Sequence, residues 1–586
     1  KFLQTDGTTA SWQVPDATEV SFTQVGTGAV ASTVDDKLNE SVSIKDFGAV
    51  GDGVTDDTTA VLNAFQSGKI VDGHNLSYAI NGTVKPSSFV GVKNATFVQI
   101  ADNSATNYNI LDFEGLSNFF IENVVIDMGT NIATLYSDDG NNGLRVLGTQ
   151  SGSGVGTTTN YISNFKIKNV RVTGNGCGTG IHIRHARDFV IEDCFVYDRV
   201  SGSSPDPTND SQNGYEVSNC TNFSFVNNNV KNLKTQLGGV ATLKWTRGFL
   251  FAEISNASIS GCVASTCDQN YDFSGGVSDS SPSSYEGNRQ FTVNSCVSEA
   301  PGTYGFKFAN VTHDALISNC IVIDSLGVGF VISSQSTAIT LSTDSYRTQN
   351  LSFIGCKVIN VLGGGWVGLT ATGFKIDANG VDTYPRGIKF INCSVEDNQT
   401  VSTTTNAFDS GAAPIVYPTT DYNKAVDNVL IDCSAKNVTT FNGSIDRLGA
   451  PICQVNGTTS QSLATATWTD VNWDNNLIDP TGLHNTASNT NTLFIKTPGY
   501  YKVHAQINFQ ANSTGERSLR FRKKGTTQPG TTVTTNAPSA TVATTVYNTA
   551  IVYCNVGEYI DVQAYQTSGG NLTIDRTLSI FLIEKI

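Results

Sequence analysis

Gly180-Ile181-His182-Ile183, Gly214-Tyr215-Glu216-Val217 and Gly248-Phe249-Leu250-Phe251 repeat one glycine-led pattern at intervals of 34 residues. A second marker trails each glycine by 14 residues, at Cys194, Asn228 and Cys262, and Cys296 extends that series by another 34. Two registers held over successive turns mean one supersecondary unit used repeatedly. A period of this length also suits helical hairpins, but the intervening segments alternate with period two: Phe189-Val190-Ile191-Glu192-Asp193-Cys194-Phe195-Val196 and Phe390-Ile391-Asn392-Cys393-Ser394-Val395. They are rich in Val, Ile, Phe, Thr and Asn and poor in the residues helices prefer. Asn and Gly recur between them, as turns require. The predicted unit is a coil of short strands. The stack from about Asn142 to Cys433 is then a parallel β-helix whose coils pair edge to edge, ~4.8 Å apart.

Composition agrees. Of 586 residues, 39% are hydrophobic and 15% charged, with 55 Gly and 1 Met, a β-rich balance. A net charge of −15 argues against nucleic acid as a partner. No apolar run approaches the ~18 residues of a membrane span, so no membrane insertion is expected. The chain opens Lys1-Phe2-Leu3-Gln4, without an initiator Met or signal peptide, and reads as a fragment whose natural N-terminus lies upstream. Among 12 cysteines, Cys194, Cys262, Cys296, Cys320, Cys356, Cys393 and Cys433 share one repeat position. They are expected to form an inward ladder of free thiols, consistent with folding in a reducing cytoplasm. No Cys/His spacing suggests zinc, and neither metal nor cofactor is expected.

The segment Ile44-Lys45-Asp46-Phe47-Gly48-Ala49-Val50-Gly51-Asp52-Gly53-Val54-Thr55-Asp56-Asp57-Thr58-Thr59-Ala60-Val61 resembles the N-terminal motif of the pectate-lyase-like superfamily of right-handed β-helices, in the form carried by phage tailspikes and capsular polysaccharide depolymerases. The residues themselves agree. Thr55 or Asp56 can cap a helix through Val61, Leu62 and Phe65, with Asp57 in its first turn. Such a helix would plug the N-terminal end of the stack and cover its first strand edge. The Asp52/Asp56/Asp57 cluster lacks the ligand spacing of an EF-hand. Upstream, Phe2 to Trp12 resembles the short β repeat of phage tail-fibre proteins, the alternative being an extended linker.

After Cys453 the pattern becomes that of antiparallel strands, in Trp468–Trp473, Phe494–Val503, Val556–Val562 and Leu578–Ile583. Pro498-Gly499-Tyr500-Tyr501-Lys502-Val503 and Val556-Gly557-Glu558-Tyr559-Ile560-Asp561-Val562 resemble the jelly-roll heads of C1q- and TNF-like trimers. That likeness implies a C-terminal trimerisation or carbohydrate-binding module. The expected fold class is all-β: a right-handed parallel β-helix with a short N-terminal capping helix and a C-terminal antiparallel β-sandwich (jelly roll), homotrimeric. Expected boundaries are a neck over 1–40, the N-terminal motif and capping helix over 41–75, a catalytic β-helix over 76–452 and the jelly roll over 453–586.

Within each G-Φ-x-Φ strand (Φ apolar) the Φ residues point inward and x points outward. Reading x down the stack gives Arg145, His182, Glu216, Leu250, Asp272, Lys307, Val331 and Lys375. The position before the glycine gives Asn142, Thr179, Asn213, Arg247, Gln269, Tyr304, Val328 and Thr372, with Asn270 aligned in place of a glycine. A solvated sheet face would also be polar, but charge is concentrated here in a chain otherwise short of it. In the superfamily that the chain resembles, this strip is where polysaccharide is cut.

Glycoside hydrolysis uses one protonated and one ionised carboxyl group. Glu216 as general acid and Asp272 as general base stand two coils apart, ~9–10 Å between backbones, close to the ~6.5–9.5 Å of an inverting enzyme. Glu253 is the substitute partner. Arg247 and Lys307 are assigned to holding the sugar chain and depressing one carboxyl pKa, and His182 to a sugar hydrogen bond. Trp245, Trp366, Tyr271 and Tyr304 are candidate sugar platforms, Tyr271 having an inward, core alternative. Lys375 and Asp377 complete the binding set, and Asp377 with Asp382 would serve a site shared between subunits. β-Elimination using Arg247, Lys307 or His182 stays open, as does a non-catalytic receptor-binding fibre. The motifs of plant-wall pectate lyases and polygalacturonases are missing from the strip. Expected partners are a bacterial surface polysaccharide, further copies of the chain, and a phage tail or baseplate reached through a missing N-terminal domain, which would locate the protein in the virion.

Overall fold

The computed structural model describes residues 2–5, 8–14, 16–101, 108–130, 141–151, 158–175, 178–201, 212–237, 240–242, 246–274, 287–333, 348–363, 369–377, 385, 387–399, 403–409, 429–431, 433–438, 440–442, 452–479, 482–495, 499–537, 539–555 and 557–586. The chain divides into two compact units. One comprises residues 1–385, 393–409 and 434–441, and the other residues 386–392, 410–433 and 442–586.

The first unit begins with paired strands rather than an extended linker. Phe2–Thr5 is antiparallel to Ala10–Gln13, and Ser21–Thr23 to Ala31–Thr33. The helix of the N-terminal motif spans Thr58–Phe65, and its N-cap is Asp57, not Thr55 or Asp56. The reason lies in how the three neighbouring carboxylates are used. Asp57 accepts the Val50 and Gly51 N–H groups at 2.7 and 3.0 Å, and Asp52 accepts those of Val54 and Thr55 at 2.8 and 2.7 Å. Asp56 takes the Thr58 N–H at 3.0 Å from one position upstream of the cap. The acidic cluster therefore shapes a turn. The helix buries Val61 and Phe65, whose ring packs against Phe89, Phe97 and Phe113 with centroids 4.9, 5.9 and 6.0 Å away.

Each following coil presents three runs of parallel strand. On the face that carries the repeat glycines, Ile181, Tyr215, Phe249, Tyr271, Phe306, Phe330, Phe374 and Phe408 are register partners in unbroken succession. From Tyr215 to Phe408 their rings stack with centroids 5.0, 4.9, 4.2, 4.8, 4.8 and 5.0 Å apart. That spacing is the strand separation itself, so backbone pairing and ring stacking reinforce one another. A second ladder, Phe119, Phe165, Phe189 and Phe223, lines the next face at 5.1, 4.7 and 4.8 Å.

The glycines answer to close approach. A Cβ at Gly214 would lie 2.4 Å from Val230 Cγ2 and 2.6 Å from the Gly248 carbonyl oxygen. Asn270 holds the equivalent position because the third face there carries Ala264 and Ser298. Its amide fills the space and donates to the Ala264 carbonyl at 3.0 Å and to Ser298 Oγ at 2.9 Å. Corners are turned by residues in the left-handed region, and their side chains join successive coils. Asn222, Asn227 and Asn232 donate to Asp188, Asp193 and Asp198 at 2.9, 3.3 and 2.7 Å. The described cysteines are all free. The thiol hydrogens of Cys194, Cys262 and Cys320 reach carbonyl oxygens two residues back, and burial pushes the Cys194 thiol up to about 12.

The second unit contains two antiparallel sheets. One orders Asn475–Ile478, Ile452–Asn456, Leu572–Lys585, Gly499–Phe509 and Thr544–Cys554, with Gln461–Leu463 also pairing Leu572–Lys585. The other orders Thr469–Asp470, Tyr559–Gln566, Glu516–Lys523 and Thr526–Asn536, with Thr492–Phe494 also on Tyr559–Gln566. Trp473, Tyr501, Phe509, Phe521 and Phe581 are buried in a shared core.

The ring ladder sets a stability test. Phe306→Ala is expected to cost about 3–5 kcal/mol, since neighbouring coils cannot close the gap without breaking pairing. Leu316→Ala, at a position 39% exposed on the next face, is expected to leave the unfolding temperature near wild type. Thermal unfolding of the two variants checks both.

Candidate functional site

The outward row of the first face runs in strict register through Asp112, Arg145, His182, Glu216, Leu250, Asp272, Lys307, Val331, Lys375 and Asp409. The eight residues read from the repeat are all on it, and Asn270 aligns with the glycines as expected. Arg247, Gln269, Tyr304, Val328 and Thr372 form a neighbouring row three positions earlier along the strands. Position two after x carries Ser274, Ala309, Ser333 and Asp377. Asp112 and Glu114 extend the strip towards the N-terminus and were missed. Leu111-Asp112-Phe113-Glu114 has the alternation but lacks the leading glycine.

Because rungs are one strand spacing apart, row neighbours of opposite charge meet. Arg145 Nη1 lies 2.8 Å from Asp112 Oδ2 and 3.7 Å from Glu114 Oε2. Within a single strand, Lys375 Nζ also lies 3.1 Å from Asp377 Oδ2, two residues further on. The most enclosed cluster centres on Asp272, whose side chain is 1% exposed. Arg247 Nε sits 3.0 Å and Lys307 Nζ 3.3 Å from Asp272 Oδ2, with those side chains 29% and 22% exposed. Lys307 Nζ also donates to Gln269 Oε1 at 3.4 Å, and Ser274 Oγ donates to Asp272 Oδ1. Burial opposes ionisation of this carboxyl, but Lys307, Arg247 and the Ser274 hydroxyl outweigh it and hold the group below the usual carboxylate range.

Glu216 has a different environment. Its Oε2 accepts from Asn213 Nδ2 at 3.0 Å and Thr179 Oγ1 at 3.3 Å, while Oε1 faces His182 Nε2 at 3.6 Å. The Glu216 side chain is 20% exposed and that of His182 1%. One rung, Leu250, separates Glu216 from Asp272. Two strand spacings come to ~9–10 Å at the backbone, a separation that admits a water molecule between the two carboxyl groups and a sugar ring.

The remaining sequence candidates fall variously. Glu253 is off the strip, at a corner with φ 55°, in the same column as His185 and Asn219 at φ 53° and 52°. Tyr304 is half-buried on the row before the glycine, and burial raises its phenol pKa. Tyr271 points inward, is fully buried, and donates its hydroxyl to the Cys262 carbonyl at 2.7 Å. It belongs to the ring ladder, not the strip. Trp245, Trp366 and Asp382 lie outside the described residues. Among the described residues no group of three or more His, Cys, Asp or Glu is placed to hold a metal ion, and no helix is long and apolar enough to cross a membrane.

Residues 153–381 match the right-handed β-helix region family, in keeping with the expected handedness. A stretch of 62 residues is 48% identical to a tail spike protein of Escherichia phage K1E, and it amounts to 11% of this chain and 8% of that relative's length. Among solved structures, a tailspike protein double mutant of E. coli bacteriophage HK620 aligns over 97% of both chains at 11% identity, with a TM-score of 0.46. Endo-xylogalacturonan hydrolase from Aspergillus tubingensis aligns over 70% of this chain and 95% of its own at 11% identity, with a TM-score of 0.38.

A depressed aspartate pKa has a signed consequence. Asp272 contributes stability that is present above the unfolded value of about 3.9 and is lost as pH falls through the lower folded value. Relative to Asp272→Asn, wild type is expected to hold a higher unfolding temperature at neutral pH, and the gap is expected to close in acid. Unfolding scans from neutral pH down to about pH 2 check this; a gap that persisted would mean that ionisation of Asp272 is not its source.

Proposed function

We propose that the chain is the polysaccharide-binding and polysaccharide-cleaving part of a phage tailspike, acting on a bacterial surface polysaccharide by glycoside hydrolysis. The observation that carries this reading is the pair of dissimilar carboxyl groups on one outward row. Asp272 is held ionised by two cations, and Glu216 faces an imidazole, an amide and a hydroxyl. Two carboxyl groups in contrasting environments are what acid–base division of labour requires. Asp272 as base would remove a proton from the attacking water, and Glu216 as acid would deliver one to the departing glycosidic oxygen. Arg247, Lys307, Lys375 and Tyr304 would hold flanking sugars. The short identity with a phage tail spike protein and the β-helix family match support the viral setting at a coarser level.

The partly exposed cations Arg247 and Lys307 favour β-elimination as the second reading, because that reaction needs a uronate carboxylate neutralised while a proton leaves the adjacent carbon. Self-association belongs to the proposal too. Tyr500 faces Tyr553, Lys502 faces Ile551 and Gln506 faces Tyr547 across one sheet of the second unit, leaving Tyr500, Tyr547, Ile551 and Tyr553 exposed side by side. An aromatic sheet face of this kind suits burial against further copies in a homotrimer.

Glu216→Gln and Asp272→Asn are each expected to lower turnover of a susceptible capsular polysaccharide by about 10²–10⁴-fold, with binding retained. Reducing-end release from a panel of capsules measures it, and near-normal activity in both variants would sink the assignment. Ultraviolet-absorbing unsaturated products would move the reaction to elimination. Light scattering is expected to give a trimer mass that Tyr547→Lys combined with Ile551→Lys reduces.

A further inference from the structure

A cavity of about 440 Å³ opens in the second unit, between the strand Asn475–Ile478 and the strand Thr492–Phe494. Its volume falls within the range of about 300–1,000 Å³ usual for small-molecule sites. The loop around it is fixed from within. Asp479 takes the N–H groups of Leu483 and His484 at 2.7 and 3.0 Å. The buried His484 ring lines it, with Nε2 3.1 Å from the Thr490 carbonyl and Nδ1 2.5 Å from Asn476 Oδ1, an amide that donates to the neutral ring once its oxygen and nitrogen are exchanged. A carbonyl only accepts, so Nε2 carries hydrogen. Asn485 Oδ1 accepts the N–H groups of Ala487 and Ser488 at 2.9 and 3.1 Å, which shapes the rim and leaves the Asn485 NH₂ group for another partner.

What lines the cavity has a consistent chemistry. Among the described residues, no lining residue carries a carboxylate, an ammonium or a guanidinium. The exposed Ser488 hydroxyl and Asn489 amide have no protein partner among the described residues. Phe494 is half-buried, edge-on to Tyr559 at 5.9 Å, and supplies one aromatic wall. Amides and a hydroxyl match the donor–acceptor pairs of sugar hydroxyl groups, and an aromatic wall matches the apolar C–H face of a pyranose. A charged ligand would find no counter-ion among the described lining residues, and an apolar one would strand the amides.

We infer that this cavity is a binding site for a neutral pyranose residue, separate from the charged strip of the first unit. The inference stands on the second unit's own geometry and goes beyond the cleavage reading.

The test is saturation-transfer NMR on the full chain with glucose, galactose, N-acetylglucosamine and, as the charged control, glucuronic acid. At least one neutral sugar is expected to give transfer and glucuronic acid none. Phe494→Leu keeps the apolar bulk and removes the flat face. Asn489→Gly removes the amide and keeps the left-handed backbone of φ 52°. Each is expected to weaken neutral-sugar binding about tenfold or more, while polysaccharide cleavage stays at the wild-type rate. Glu216→Gln is expected to leave monosaccharide binding intact, so failure of the strip assignment and failure of this one read out separately. No transfer from any neutral sugar, or transfer undiminished in Asn489→Gly, would overturn the inference. Should Phe494→Leu not fold, Asn489→Gly alone decides.

Discussion

Parallel pairing of one coil on the next, in register from Leu144 onward, is the constraint on which the first unit depends. It sets an axial repeat of ~4.8 Å, and the aromatic ladder from Tyr215 to Phe408 fits that repeat with centroids 4.2–5.0 Å apart. Neither interaction is strong alone. Together they make any slip costly, because a one-residue shift would send the rings outward and the charged row inward. The Asn–Asp pairs at the corners and the buried thiols add restraints of the same repeat.

That stacking also decides the electrostatics. Residues far apart in sequence become neighbours at salt-bridge distance simply by occupying one register position, as with Asp112 and Arg145 or Asp272 and Lys307. Burying Asp272 is tolerable only because two cations and a hydroxyl surround it; removing a partner from such a buried pair commonly costs ~3–5 kcal/mol. Among the described residues, Glu216 has no guanidinium or ammonium neighbour and leans on Asn213, Thr179 and His182 instead. The strip thus contains two carboxyl groups that the same backbone geometry places in opposite surroundings.

The second unit solves its packing differently. Its antiparallel sheets bury one face each on a core containing Trp473 and Phe581. The loop around His484 is held by Asp479 and not by register. The outcome is a cavity whose described lining residues carry no carboxylate, ammonium or guanidinium, chemically unlike the charged row of the first unit.

Much of this was legible in the chain. The period of 34 and the period-two alternation determined the coil, and the G-Φ-x-Φ pattern determined which side chains face outward, down to the substitution of Asn270 for glycine. Those are consequences of local geometry, and local geometry is written in spacing. The helix cap at Asp57, the strip's continuation to Asp112, the corner position of Glu253 and the enclosure of Asp272 were not legible. Each depends on which groups from other coils or turns come within a few ångströms. Sequence alone determined the winding and the row. Only the tertiary structure decided how charge is shared along it, because burial and ion pairing are set by neighbours that spacing cannot name.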